Sequence, residues 1–567
     1  MRRAVRQQVI KAIGVQELPN GLVAAHYEFR HSLYRQAIYR RLSSGRRARL
    51  HRAIAERLKT LSGPGRRDVA SEIAFHFESG HEYEQAARYL LLAAENAAGR
   101  LAYRDCIQVL QHALKLTPKL EAYLGAELET QVLEFIGDAH YALGAMAEST
   151  AAYEAAASRA GQAGLKGAQV SALSCMVRPF GLIDPDRGIA AIERAVEVTR
   201  NMQEPLLLAR MEMLAAGCRL LYDCWREQDA VVCESAHNQL KELGDKGTPP
   251  FHKMIYAHVQ ALQGNYIGAL ALFERGIPTL NQTTSLMEHF FALSGKTIAL
   301  LRMGRLGDVL QIIRDGREMA EKNGNDPWLF NFREAWLRML TLDFEGSARV
   351  CEAILQTETA YPVSQPQTIA RIARGYTAIA KGFTELDKGQ NDRAIELFNQ
   401  VCDPQTTPKF FLHWNWRMTA RLGVSDAWLQ SGNLEKASFE ADGFLHAALE
   451  TADPHLQALA WDMQTRVAIA NEDWGRAEDC VHKGLEIVDR FEVPVAGWQV
   501  HATAWRLYQS RQQYAEAESH RERAQADIFK IADSFPKGEP LRESFLSAAP
   551  IARICSPSAE RRRAADG

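Results

Sequence analysis

A small residue or valine returns along this chain every 39 to 46 residues, at Ser149, Ala190, Ala230, Ala269, Val309, Ala348, Ala394, Ala437, Ala477 and Ala517. Five positions before five of them stands a glycine: Gly144, Gly264, Gly304, Gly389 and Gly432, in segments such as "GNYIGALALFERG" and "GQNDRAIELFNQV". A glycine that tolerates positive φ ends one helix, and a second helix then packs back on the first. The small residue lets the two backbones approach, and a larger side chain four positions on, Phe273 or Phe398, fills the groove. Each pair leaves an apolar face that only a neighbouring pair can cover. Two further units keep the standard offsets, Leu133, Ile136, Gly137, Ser149, Tyr153 and Ala156 in one, Cys106, Leu110, Ala113 and Pro118 in the other. This is the logic of the tetratricopeptide repeat, usually about 34 residues long, here with a period near forty. The expected fold is all-α, a TPR-like helical-repeat solenoid forming a right-handed superhelix, with strands nearly absent.

A length of 567 residues suits such an array better than one core. The net charge of −2 hides an asymmetry: residues 1–60 hold 14 Lys/Arg against three Asp/Glu, or +11, which leaves −13 for the remainder. The nine cysteines are scattered with no C-x-x-C pair, as expected of reduced, mostly buried thiols. No apolar run reaches 18 residues, and "MRRAVRQQVIKAIGV" lacks the apolar centre of a secretory signal. A cytoplasmic chain without membrane contact is expected.

Several local patterns invite chemistry. Gly295-Lys296-Thr297 ends like a phosphate-binding loop, but the required earlier glycine is Phe290 and the surroundings read as a helix. His76 and His81 are five apart, whereas zinc-binding helices place their histidines four apart. His31 and His51 are expected to pack and hydrogen-bond between helices. No catalytic, metal or cofactor residue is expected. All ten tryptophans lie between Trp225 and Trp505. On a concave solenoid face Trp416 and Trp428 would be the pair to touch a ligand, while aromatics at helical spacing also suit an inter-repeat core. The basic stretch offers Arg46, Arg47 and Arg49 to nucleic acid, although its arginines suit the solvated sides of two amphipathic helices equally. Arg561–Arg563 read as a frayed end.

Residues 27–61 read "YEFRHSLYRQAIYRRLSSGRRARLHRAIAERLKTL", with apolar stripes at Phe29, Leu33, Ala37, Ile38, Leu42 and at Leu50, Ile54, Leu58. This run resembles bacterial predicted ATPases of the signal-transduction (STAND/AAA) type with C-terminal tetratricopeptide repeats, found behind winged-helix transcriptional regulators and nucleotide cyclases. The pattern that closes their winged-helix part is matched by Phe29, Arg30, His31, Leu33, Ile38, Tyr39 and Leu42. The next pieces are matched by Arg46, Arg47, Leu50, His51, Ile54, Ala55, Glu56 and Leu58, then by Ala74, Phe77, Ala86, Tyr89, Leu90, Ala93, Ala94, Glu95 and Ala97. The resemblance covers essentially the whole chain, specifically at the front and generically behind. It implies a basic helical segment ending a winged-helix module (1–62), first TPR-like pairs (68–118), the solenoid (119–530) and a tail (531–567). The ATPase of that family would lie upstream of residue 1, which leaves open a late-started gene product, a remnant or half of a split system.

The function this implies is that of a non-catalytic sensor and protein-interaction half of a signalling or transcriptional regulator. Its partner would be a protein or small-molecule inducer on the solenoid surface, with an ATPase module in trans possible and nucleic acid unlikely. The alternatives are a truncated piece of a full P-loop ATPase or cyclase regulator, and a DNA-binding regulator using the basic front.

Overall fold

A computed structural model describes Val5 and residues 8–17, 23–62, 68–280, 286–323, 326–356, 366–403 and 409–556; Arg561–Arg563 lie outside them. The chain forms two compact units, residues 1–143 with 147–176, and residues 144–146 with 177–567. The architecture is an all-α TPR-like helical repeat.

The first unit opens on a feature absent from the expectation. Ile10–Glu17 (β1) and Val23–Phe29 (β2) form an antiparallel hairpin, Ile10 opposite Phe29, with an irregularity at Ala12/Gly14. Phe29 therefore belongs to a strand and not to the helical stripe that begins at Leu33. Helices Ser32–Arg41 and Ser44–Ser62 follow. Most of their stripes point the other way from a core: Leu33, Ile38, Leu50 and Ile54 are exposed, only Leu58 packs against it, and the second helix buries Ala48, His51 and Ala55 instead. Small residues on that side let the helix sit close to Ala70–Ser79, where Ile73, Ala74 and Phe77 join Ala55 in one core.

In the second unit the recurrence maps onto the helix pairs. Ala230, Ala269, Val309, Ala394, Ala437, Ala477 and Ala517 are each the fourth residue of the second helix of a pair and are buried. Two positions depart: Ala348 is buried but fifth in its helix, after the buried Ser347, and Ala190 lies exposed. In the Ala190 helix, Pro185–Arg200, the close approach is made at Gly188, where a Cβ would stand 3.0 Å from Phe180 Cβ. The five turn glycines all have φ between +71° and +82°. The same left-handed turn recurs without glycine at Leu342, Glu472 and Gln512, so the geometry belongs to the repeat and glycine only makes it easy. Part of the segment 531–567, expected as a tail, is described. Pro540–Ser547 and Ala549–Cys555 are helices that bury Phe545 and Ile551, and Arg521 and Gln525 donate to the Ile554 carbonyl.

Repeat arrays ordinarily touch only their neighbours. This unit also packs early pairs on late ones. Trp414 Nε1 donates to the Leu220 carbonyl at 3.0 Å, and Lys409 bridges Asp186 and Asp223. A Cβ on Gly264 would meet Phe491 and Pro454 at 2.7 and 2.8 Å, and the Gly307 amide donates to Ser534 Oγ. A Cβ on Gly307 would run into the Ser534 carbonyl, a backbone group that cannot turn aside. Gly307→Ala is expected to cost about 2–3 kcal/mol, as overpacking of a tight contact does. Gly432→Ala, with positive φ but open space around it, should cost about 1–2 kcal/mol. Chemical denaturation that ranks the two equally would show that the early–late contact is loose.

Candidate functional site

The second unit places the first helices of five successive pairs around one small cavity: Pro250–Leu262, Leu286–Arg302, Trp328–Leu340, Pro366–Asp387 and His413–Gln430. Its volume is about 50 Å³. Leu262, Ile298, Leu301, Trp336, Tyr376 and Trp416 supply an apolar and aromatic wall; Arg302, Arg333 and Asn415 supply the polar groups.

Trp416 is only 5% exposed, its ring centroid 3.9 Å from that of Tyr376 and 4.0 Å from that of Phe410. It is inter-repeat core that also lines the cavity. Trp428, three turns further along the same helix, is partly buried under Lys436 Nζ, 4.1 Å from its ring, and is not part of the cavity wall. The structure does not bring the two together.

Arg302, 5% exposed, pairs with Asp453, 1% exposed, at 2.7 Å across 151 residues of chain. Asp453 also accepts from Asn415 Nδ2 and from the His455 amide, capping helix Pro454–Ala470. The Nε of Arg302 is buried without a hydrogen-bond partner among the described residues. Arg333 differs from five other inner arginines. Arg178, Arg210, Arg219, Arg302 and Arg466 each meet a carboxylate, whereas Arg333, among the described residues, donates from Nε to Ser294 Oγ at 2.7 Å. Burial pulls its guanidinium below the usual arginine range. The field around the cavity is correspondingly positive. Burial, with Arg333 adding to it, pushes His258 down to about 3, and burial with Arg302 lowers His455.

The sequence reading did not single out Arg302, Arg333 or Asp453. One signal was available: Arg333 stands between Phe330 and Leu337, three and four residues away, on the face that helical periodicity assigns to the core.

The remaining candidates sit elsewhere. Gly295 lies inside helix Leu286–Arg302, where a side chain would strike His258 and Phe273, and Thr297 Oγ1 donates to the Ser294 carbonyl. His51 bonds Tyr39 Oη and His76 Nδ1, while His31 is exposed. His81 bonds Tyr83, so His76 and His81 part company. Arg46 and Arg49 are exposed on one side of their helix, but Arg47 turns away and its guanidinium lies 5.3 Å from the Tyr39 ring centroid. The basic face thus offers two of the three expected arginines, with exposed Leu50 and Ile54 beside them. Among the described residues no helix is long and apolar enough to cross a membrane.

No family model and no curated protein matches the sequence. Solved structures do. The APC/C hetero-tetramer Cut9-Hcn1 is 13% identical, with a TM-score of 0.41 over 92% of this chain and 98% of that one. The Rap protein complexed with Competence and Sporulation Factor is 14% identical, with a TM-score of 0.43 over 65% of this chain and 99% of that one.

Proposed function

We propose that this chain is a non-catalytic repeat protein, the sensory and protein-interaction half of an ATPase-type signalling regulator, and that helices Ser32–Arg41 and Ser44–Ser62 dock the ATPase module. The observation that carries this is an amphipathic helix with its apolar side uncovered. Ser32–Arg41 has no buried residue, and Leu33 is 71% exposed. Leu50, Ile54 and Phe75 on the next two helices are exposed as well, and so are Arg46 and Arg49. Contiguous exposed apolar surface with a charged rim marks a protein contact. Phosphate recognition needs cations and has no use for the leucine and isoleucine between them.

The test is co-expression with a P-loop ATPase encoded directly upstream or beside this gene. The two are expected to co-purify, and Leu33→Asp with Ile38→Asp should abolish this while shifting stability by no more than about 0.5 kcal/mol, as for surface positions. Undiminished co-purification of the double variant, or no ATPase partner at all, ends the proposal. A low-salt shift of duplex DNA lost on Arg46→Ala and Arg49→Ala would favour the DNA-binding alternative; no shift is expected.

A further inference from the structure

The cavity at Arg333 poses a charge problem that the docking face does not address. Two guanidinium groups, Arg302 and Arg333, line it, and one carboxylate, Asp453, meets Arg302. One positive charge is left over at the cavity wall. Arg333 is partly exposed, and a cation half withdrawn from water attracts an anion more strongly than one in bulk solvent. Two donor groups are available to a missing partner. The Nε of Arg302, on a side chain 5% exposed, bonds nothing among the described residues, and Arg333, whose Nε donates to Ser294 Oγ, lines the same cavity without a carboxylate partner among them.

Size and lining narrow the partner. A water-sized centre needs roughly 10–15 Å³, so about 50 Å³ accommodates about four or five non-hydrogen atoms. The wall formed by Leu262, Ile298, Leu301 and Trp336 asks for a short hydrocarbon part, not a second charge. We propose that the cavity is a binding site for a short monocarboxylate of two to four carbons, its carboxylate received by Arg333 and Arg302 and its alkyl part lying on Leu262, Leu301 and Trp336. A planar guanidinium matches a carboxylate fork to fork, and a monoanion leaves the site neutral.

The experiment uses the full chain, with sodium propionate as the probe, followed by thermal shift and by line broadening of ¹³C-labelled propionate. At 10 mM and matched ionic strength, propionate is expected to raise the melting temperature by about 2 °C or more over sodium chloride, as binding to the folded state requires. Propionamide, isosteric and uncharged, should do nothing, and octanoate should not fit. Arg333→Gln should remove both the shift and the broadening. Should that variant not fold, Arg333→Lys keeps the charge without the fork and is expected to bind at least tenfold more weakly. Equal shifts from propionate and chloride, or from propionate and propionamide, overturn the proposal. So does full-strength binding of octanoate, or propionate affinity unchanged in either variant.

Discussion

Lowering the pH from 7 to 5 is expected to cut the melting temperature of this protein by about 10 °C. The cause is a set of buried histidines held neutral by the fold. His252, His258, His413 and His501 are all nearly inaccessible, and burial pushes them down to about 3, 3, 4 and 3; His455 is lowered too. An unfolded chain binds a proton on each near 6.5, so between that pH and about 4 the unfolded state holds more protons than the folded one. Stability therefore falls as pH falls through this window. At pH 5 each histidine costs about 2 kcal/mol relative to pH 7. Asp527 works in the opposite sense. Burial raises its carboxyl to about 7, so the folded state gains a proton there as pH drops and recovers about 2 kcal/mol. The four histidines at about 3 to 4 amount to about 8 kcal/mol before that offset and about 6 kcal/mol after it, His455 adds in the same direction, and a unit of this size moves roughly 1–2 °C per kcal/mol. His258→Gln, which can still reach the Met254 carbonyl that Nδ1 contacts, should shrink the difference. Helical circular dichroism that melts at the same temperature at pH 7 and pH 5 would refute the account.

What the sequence carried legibly was the local part of this fold. Helix pairs announce themselves through contacts a few residues apart, so Ala269, Ala394, Ala437 and Ala477 could be placed in their turns from spacing alone. Phe273 and Phe398 fill their grooves, the latter against Gly382 and Gly423. Where the device changed, spacing misled: Gly188 took the part expected of Ala190, and Leu342, Glu472 and Gln512 made the left-handed turn without glycine. The strand pair Ile10–Glu17 and Val23–Phe29 was hidden because Ile13, Val15 and Val23 are exposed strand residues without an alternating pattern against a core. The apolar stripe at Leu33 and Ile38 was legible as amphipathic, but periodicity cannot tell a face that meets the core from one that waits for a partner. The candidate cavity was the least legible. Trp416 was visible as a residue, yet no local pattern says that Arg302 will meet Asp453 or that Leu220 will meet Trp414. Those contacts depend on how far the stacked pairs turn before they return, a sum of small rotations that no single segment encodes.

Asp453 is where that return is tied. Replacing it by alanine is expected to destabilise the second unit by about 3–5 kcal/mol, the usual effect of stripping one partner from a buried ion pair. The side chain serves three groups at once: Arg302 Nη2 at 2.7 Å, Asn415 Nδ2 at 3.3 Å and the His455 amide at 3.0 Å. Its loss leaves Arg302 uncompensated beside Arg333 and uncaps helix Pro454–Ala470, the cap alone being worth about 1 kcal/mol. Asp453→Asn keeps an oxygen for the cap and removes only the charge, so it should fall between wild type and alanine. Arg302→Met combined with Asp453→Leu removes both charges and should recover most of the loss, giving a coupling energy of about 2–3 kcal/mol in a double-mutant cycle. Denaturant titrations in which Asp453→Ala costs less than about 1 kcal/mol would mean that the pair is hydrated like a surface salt bridge. With Asp453 gone, two guanidinium groups share the cavity without a carboxylate, and added propionate should restore more stability to Asp453→Ala than it adds to the wild type, because the same anion then relieves two unpaired charges instead of one.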